Sequence, residues 1–402
     1  MIDVTPHRAN VVVSNTPEST IYVEISTLFD ETWSGIANVT ANLCRALLKT
    51  HHSVRFFAFD KIIERRYVAN ALAANDGTGL HLLMDHGIAV EQNLQTRKQN
   101  GAREVAIFPN FKRGYQDFEF EVLIIHDLSF ILMPEFHEAH RVHDYKARLF
   151  RDVHDVNKVV CVSNATREDV LSYYRVPPSK VSVAYLGADC EEGLRQHWDD
   201  EELERLGLLA SRYFLILGTI EPRKNVELII EYIDGNRAVL NSYKFVFAGR
   251  QGWGRDFQSI CAARGMIDAR IVHLDYVSEL QRKVLLRNSA ALLFPSWFEG
   301  FGLPVLESMA SGSPVLGSRT SSVVEVGGDA MIGFDPGSVE SFAAAIDHFR
   351  RLSVDEREDL SAACRAHASR FTWAAFRDAI LAVVPAPDST AGWGKGISVK
   401  AV

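Results

Sequence analysis

The chain is poor in cysteine and has none in a pair. Cys44, Cys161, Cys190, Cys261 and Cys364 are scattered over 402 residues without a CxxC spacing, which argues against a zinc cluster and a disulfide framework and fits a reducing cytoplasm. Long apolar runs are missing as well. The first twenty residues, MIDVTPHRANVVVSNTPEST, are polar and broken by proline, so they hold no signal-peptide core, and no later stretch approaches the length of a membrane span. Lysine and arginine do not cluster and the net charge is -8, so a nucleic-acid groove has no electrostatic footprint. No G-x-G-x-x-G follows a strand and no G-x-x-x-x-G-K-[ST] occurs, which leaves nicotinamide dehydrogenases and P-loop kinases without their phosphate turns. A D-x-D metal motif is absent too.

What is present is the composition of a well-buried globular enzyme, 47% apolar and 23% charged, in a chain long enough for two domains. Short aliphatic runs alternate with helical patterns: IYVEIS, VTANLCRALLKT, VRFFAF, VLIIHDLSF and HRVHDYKARLFRDVHDV. That alternation predicts βαβ units with a parallel sheet. After KVVCVS and VSVAYLG an acidic stretch intervenes, and the pattern restarts with YFLILG, VELIIEYID, YKFVFAG, RIVHLD and ALLFPS. The expected division is an α/β domain over 1–187, a second over 188–371, a helix over about 372–384, and a Pro- and Gly-rich tail over 385–402.

The most informative stretch is FPSWFEGFGLPVLESMASG, residues 294–312. Leu292 to Phe294 end a buried strand, and in parallel sheets the ligand crevice lies beyond the carboxyl ends of strands. Gly300 and Gly302 permit close backbone approach and Pro304 suits a first helical position, so the amides of residues 301–303 converge at a helix start that attracts an anion. If the anion is a diphosphate, the flanking Glu299 and Glu307 must accept hydrogen bonds from hydroxyls instead. Phosphates in the middle with hydroxyls on both flanks describe a nucleotide sugar. The plainer alternative makes Glu307 a complement to the helix dipole and Glu299 a solvated loop residue.

Other residues stand at equivalent places. Arg223 and Lys224 precede a helix, where positive charge opposes the macrodipole; they either grip an anion or pair with Glu221 or Glu227. His126 and Asp127 follow a strand of the first half, and Asp127 could simply cap a turn. Trp33 to Asn38 form a loop leading into a helix that starts near Asn38, with Gly35 allowing close approach. Ser163 and Asn164 read as helix N-caps.

FEGFGLPVLE resembles the E-x7-E signature of retaining glycosyltransferases of family 4. That resemblance implies the GT-B architecture: an α/β fold of two Rossmann-like β/α/β domains facing each other across a deep cleft, with the helix WAAFRDAILAVV returning to the first. It further implies Glu299 as the donor-sugar contact, Phe301, Gly302 and Leu303 as the loop over the phosphates, and Glu307 as the ribose contact. Arg223 and Lys224 match the family's diphosphate-gripping pair, and His126 with Asp127 its His-Asp pair facing the donor sugar. Gly35 keeps one of two usual glycines, and Thr219 stands where many members carry arginine. Ser163 matches a serine near the interdomain cleft. Gly249, Arg250, Tyr276 and Val277 match strand-end loops that approach the sugar and nucleobase.

The activity so implied is hexosyl transfer from a nucleoside diphosphate sugar to a hydroxyl of a cell-envelope glycan or glycolipid, with retention. No carboxylate nucleophile is evident across the cleft, which favours same-face attack through an oxocarbenium-like transition state, the departing phosphate taking the acceptor proton. EPRKN and EGFGLPVLE resemble mannosyltransferase-like members and imply GDP-mannose, with UDP-hexoses as the alternative. No metal is expected, because the cationic pair replaces it. The family's meeting with lipid-linked acceptors implies a cytoplasmic protein in peripheral contact with the inner membrane. A nucleotide-sugar epimerase or phosphorylase on the same fold, and a non-catalytic nucleotide-sugar-binding subunit of a polysaccharide assembly complex, remain as rivals.

Overall fold

The computed structural model describes residues 19–29, 33, 35–96, 103–112, 118–188 and 198–385. The first-half strands are β1 (Thr20–Glu24), β2 (Ser53–Ala58), β3 (Lys61–Ile63), β4 (Val90–Asn93), β5 (Glu104–Phe108), β6 (Phe120–Ile125), β7 (Lys158–Cys161) and β8 (Val181–Val183). They form one sheet in the order β4-β3-β2-β1-β5-β6-β7-β8. The second half adds β9 (Tyr213–Leu217), β10 (Lys244–Ala248), β11 (Ile271–Leu274), β12 (Ala291–Phe294), β13 (Val315–Ser318) and β14 (Ile332–Phe334), ordered β11-β10-β9-β12-β13-β14. The central strands, such as FEVLII in β6 and YFLIL in β9, are buried at every position, as parallel strands covered on both faces must be.

Pairing is parallel throughout the second sheet. The first sheet departs from the all-parallel expectation at one edge, where β2-β3 and β3-β4 are antiparallel. The turn Phe59–Asp60 is too short for the crossover helix a parallel connection needs, so the chain can only fold back.

The second sheet has the 3-2-1-4-5-6 order of a dinucleotide-type fold, whose direction of winding reverses between its first and fourth strands, here β9 and β12. A crevice opens at that switch point. The chain passes between the lobes twice, side by side. Ala188 N donates to Phe371 O at 3.2 Å, and a Cβ on Gly187 would fall 2.2 Å from Trp373 N. The helix Trp373–Ala382 then packs on helix Ile36–Leu48, with Arg377 Nη1 donating to Ala46 O at 3.3 Å. That first-lobe helix begins at Ile36, two residues before the expected Asn38, with Gly35 as its N-cap. The tail from residue 386 lies outside the described residues, as does Cys190; the other four cysteines are free and buried.

Candidate active site

The loops after β9 and β12 are stitched together at the switch point. Trp297 N donates to Arg223 O at 2.9 Å, Arg223 Nη1 to Phe298 O at 2.7 Å, and Asn225 Nδ2 to Pro295 O at 3.2 Å. These bonds fix Arg223 and Lys224 beside Glu299. Lys224 Nζ lies 2.6 Å from Glu299 Oε1 and Arg223 Nη1 lies 3.0 Å from Oε2. Glu221 Oε1 accepts from Arg223 Nη2 at 2.5 Å. Burial alone would raise the Glu299 carboxyl, but Arg223 and Lys224 overcome it and hold the pKa at about 2. Glu221 is raised, mainly by burial. Two carboxylates therefore share two cations in a nearly dry corner, and Lys224 also lies over the Phe294 ring, 5.1 Å from its centroid.

This arrangement differs from an acid free to meet a sugar. Both Glu299 oxygens are taken by cations, and Glu307, which lines the same cleft, pairs with Arg282. Burial explains it: an unpaired carboxylate at 8% exposure would be costly. Arg223 combines both readings left open by the sequence, since it pairs with Glu221 and also lines the cleft; Glu227 pairs instead with Arg255.

Beyond Glu299 the chain turns through Gly302, at φ 95°, into helix Leu303–Ala310. The amides of Phe301, Gly302 and Leu303 donate to no carbonyl among the described residues, so this helix start keeps free donors. The Phe301 ring is not over the cleft contents: it is 4% exposed and packs near Tyr185 and Phe371. Only its backbone serves the loop.

The first lobe closes on this loop. A Cβ on Gly300 would sit 1.7 Å from His126 O and 2.7 Å from Asp127 Cβ, so only glycine fits. Gly300 O in turn accepts from Ser163 Oγ at 2.7 Å and from Thr166 Oγ1 at 3.2 Å. Ser163 is thus both N-cap of helix Asn164–Tyr174 and an interlobe contact. His126 Nε2 donates to Pro109 O at 2.7 Å, because a carbonyl can only accept, and burial lowers its pKa. The neutral imidazole is thereby fixed in one tautomer. Asp127 Oδ1 accepts from Ser129 N and Oγ at 2.9 and 2.8 Å, the turn cap considered from sequence, while the residue still lines the cleft.

The cleft between the lobes has a volume of about 680 Å³. Gly35, Thr219, Arg250, Tyr276, Val277 and Leu303 line it as well. Arg250 lies over the Tyr276 ring, 4.8 Å from its centroid. Ser163 lies behind the wall, reaching the cleft only through Gly300. Several contributors were not foreseen. Arg282, Lys283 and Arg287 project from helix Glu279–Asn288; their one signal was the basic ELQRKVLLRN segment. Glu325 accepts from Asn164 N at 2.8 Å, Ala165 N at 3.1 Å and Tyr185 Oη at 2.5 Å, bonds spanning up to 161 residues of sequence that no local pattern announces. No group of three or more His, Cys, Asp or Glu side chains suited to a metal ion occurs among the described residues.

A two-lobed α/β scaffold with a cleft lined by Arg223, Lys224 and a helix start at the switch point of its second lobe has the GT-B architecture. Residues 33–192 match the family model described as Glycosyltransferase Family 4, and residues 200–367 the one described as Glycosyl transferases group 1. The chain belongs to this family of glycosyltransferases. It is 29% identical over 336 residues to O-antigen chain mannosyltransferase B of Escherichia coli, covering 81% of this chain and 87% of that protein. It is 27% identical over 195 residues to O-antigen chain mannosyltransferase RfbU of Salmonella typhimurium, covering 48% and 51%. A structure of Anabaena Alr3699/HepE in complex with UDP and glucose superposes with a TM-score of 0.63 at 14% identity, over 91% of this chain and 99% of that one.

Proposed function

We propose that the protein transfers mannose from GDP-mannose to a hydroxyl of a cell-envelope glycan, with retention of configuration. The observation that carries this reading is the half-buried Arg223–Lys224 pair held by Glu299 beside the free amides of residues 301–303. The two relatives named above are O-antigen mannosyltransferases, which supports the choice of sugar and acceptor.

In this reading the donor diphosphate takes the two cations and the helix amides, and Glu299 exchanges a cation for a hydroxyl of the transferred sugar. Glu307 meets the ribose, and Tyr276 with Arg250 borders the base. Same-face attack then places the developing negative charge on the leaving phosphate, where Arg223, Lys224 and the amides stabilise it. Neutral His126 holds the sugar side of the cleft in place and does not act as nucleophile. Closure of the lobes excludes water that would hydrolyse the donor. No metal takes part; restoration of chelator-treated enzyme by manganese or magnesium would count against that. No helix among the described residues is long and apolar enough to cross a membrane, and we place the protein in the cytoplasm, in peripheral contact with the inner membrane.

A thermal-shift screen of GDP, UDP and ADP with their sugars tests the donor, since a ligand of the native state raises apparent stability. GDP and GDP-mannose are expected to give the largest shifts. A larger response to UDP-hexoses would reassign the donor, and no response to any nucleotide would remove the reading. Product analysis with and without acceptor separates transfer from epimerisation, phosphorolysis and mere binding.

A further inference from the structure

One bridge between the lobes runs through aromatic rings. Trp253, on the loop after β10, donates its indole N–H to Phe136 O of the first lobe at 2.5 Å, and its ring centroid lies 5.7 Å from that of His137. Behind it His137 stacks on Phe130 at 3.9 Å with 19° between the planes, Phe130 stacks on Tyr145 at 4.5 Å, and Tyr145 Oη donates to Asp127 O at 3.2 Å. The row of rings thus ends at the first-lobe loop that meets Gly300. On its other side Trp253 belongs to a segment pinned to the Arg223–Lys224 loop. Ile220 N donates to Arg250 O and Gly252 N to Ile220 O, both at 2.9 Å, and a Cβ on Gly254 would fall 2.7 Å from Pro222 Cγ. Whatever holds Trp253 therefore holds the segment leading into Arg223 and Lys224 against the first lobe.

His137 is the odd member of this row. Both of its ring nitrogens are closed off from solvent without a hydrogen-bond partner among the described residues, although buried polar groups are nearly always paired. A neutral imidazole leaves one N–H unmet; an imidazolium would leave two and add a charge. The flanking ring faces attract a cation, but Arg223 opposes one from the second lobe. Burial first, and then Arg223, lower the pKa of His137 from 6.5, against the opposite pull of Asp127 and Glu135. Arg250 and Arg255, near Trp253 in the chain, are taken up by Tyr276 and Glu227. Because the joined state disfavours the proton, the joint is complete above pH 6.5 and weakens as pH falls below it. One unit lower, a joint that wholly excludes the proton forms about tenfold less readily.

We propose that His137 is a positioning residue that clasps the Arg223–Lys224 segment to the first lobe while neutral and releases it on protonation, so that the cleft opens in mild acid. The clasp concerns lobe closure and stands apart from the identity of the transferred sugar. Solution scattering of the nucleotide-free chain tests it at pH 7.5 and pH 5.5, one unit either side of 6.5. Wild type is compared with His137→Phe, which keeps a ring in the stack but takes no proton. The radius of gyration of wild type should rise at the lower pH and recover at the higher, while His137→Phe should keep the smaller radius at both. Equal wild-type radii overturn the clasp. So does equal swelling of the two proteins, which would assign the opening to Asp152 or Asp169, whose carboxyls burial pushes up to about 6. Where the phenylalanine chain misfolds, histidine NMR titration of wild type and Trp253→Ala decides, with the His137 signal identified by its loss in His137→Gln. Cutting the clasp from the second lobe should raise the His137 midpoint toward 6.5, as linkage between closure and protonation requires. An unchanged midpoint overturns the proposal.

Discussion

Glu299 is where burial and charge meet most sharply. Its carboxylate has left water for two cations, and removing its charge leaves Arg223 and Lys224 more available to a diphosphate while replacing the sugar's charged acceptor with a weaker, neutral amide oxygen. Glu299→Gln should therefore lower kcat by about 10²-fold, in the range seen when one preorganised polar contact is lost, with GDP affinity equal or tighter; parallel loss of both would contradict the account. The pH dependence has a definite sign. A carboxyl held at about 2 in the folded chain, against an ordinary value of 4.5, contributes stability that is fully present above pH 4.5 and is lost as pH falls toward 2. Melting curves between pH 5 and pH 3 should show a steeper acid loss for wild type than for Glu299→Gln. At this scale the sequence was legible wherever chemistry stood at a strand end: Arg223, Lys224, Glu299 and His126 all lie at the cleft. Their pairing was not, because whether Glu299 faces a hydroxyl or an ammonium depends on how far the β9 and β12 loops approach each other.

At the scale of elements, the N-terminus of helix Asn164–Tyr174 joins the lobes. Its first amides, left unsatisfied by helix geometry, donate to Glu325 of the other lobe, and Ser163 and Thr166 bind Gly300 O. Such bonds to a partly exposed carboxylate are worth about 1–2 kcal/mol. Glu325→Ala should lower kcat several-fold with GDP affinity intact, since the donor loop stays whole but its docking on His126 is looser; an unchanged kcat would make this contact incidental. Gly300→Ala is the harsher case. Its methyl would collide with His126 O, so the lobes cannot close as they do here, and activity should fall by at least about 10²-fold while the circular dichroism melt of the protein survives. Alternating strand and helix patterns made the two sheets readable, β-branched runs marking β1, β6 and β7 and an aromatic and aliphatic run marking β9. The antiparallel edge at β3 and β4 was hidden, because both strands are short and KII and VEQN carry no clear alternation.

The whole molecule is a pair of lobes meeting through few but specific bonds. Trp253 Nε1 donates to Phe136 O at 2.5 Å, Asn75 bridges Arg45 and Glu279, and Glu325 accepts from the amides of Asn164 and Ala165. None of these is large, so opening and closing of the cleft is the expected motion. Glu325→Ala should show a larger radius of gyration than wild type in solution scattering, and saturating GDP should narrow that difference; identical radii without nucleotide would show that the Glu325 bonds do not hold the lobes together.

The central claim is that Arg223 and Lys224, held by Glu299, receive a nucleoside diphosphate at the switch point of the second lobe. Calorimetric titration of GDP into wild type and Lys224→Ala tests it most directly. Loss of one charge-assisted contact should cost about 1.5–3 kcal/mol, a Kd weaker by about ten- to a hundredfold. Equal affinity in the two proteins would contradict the claim.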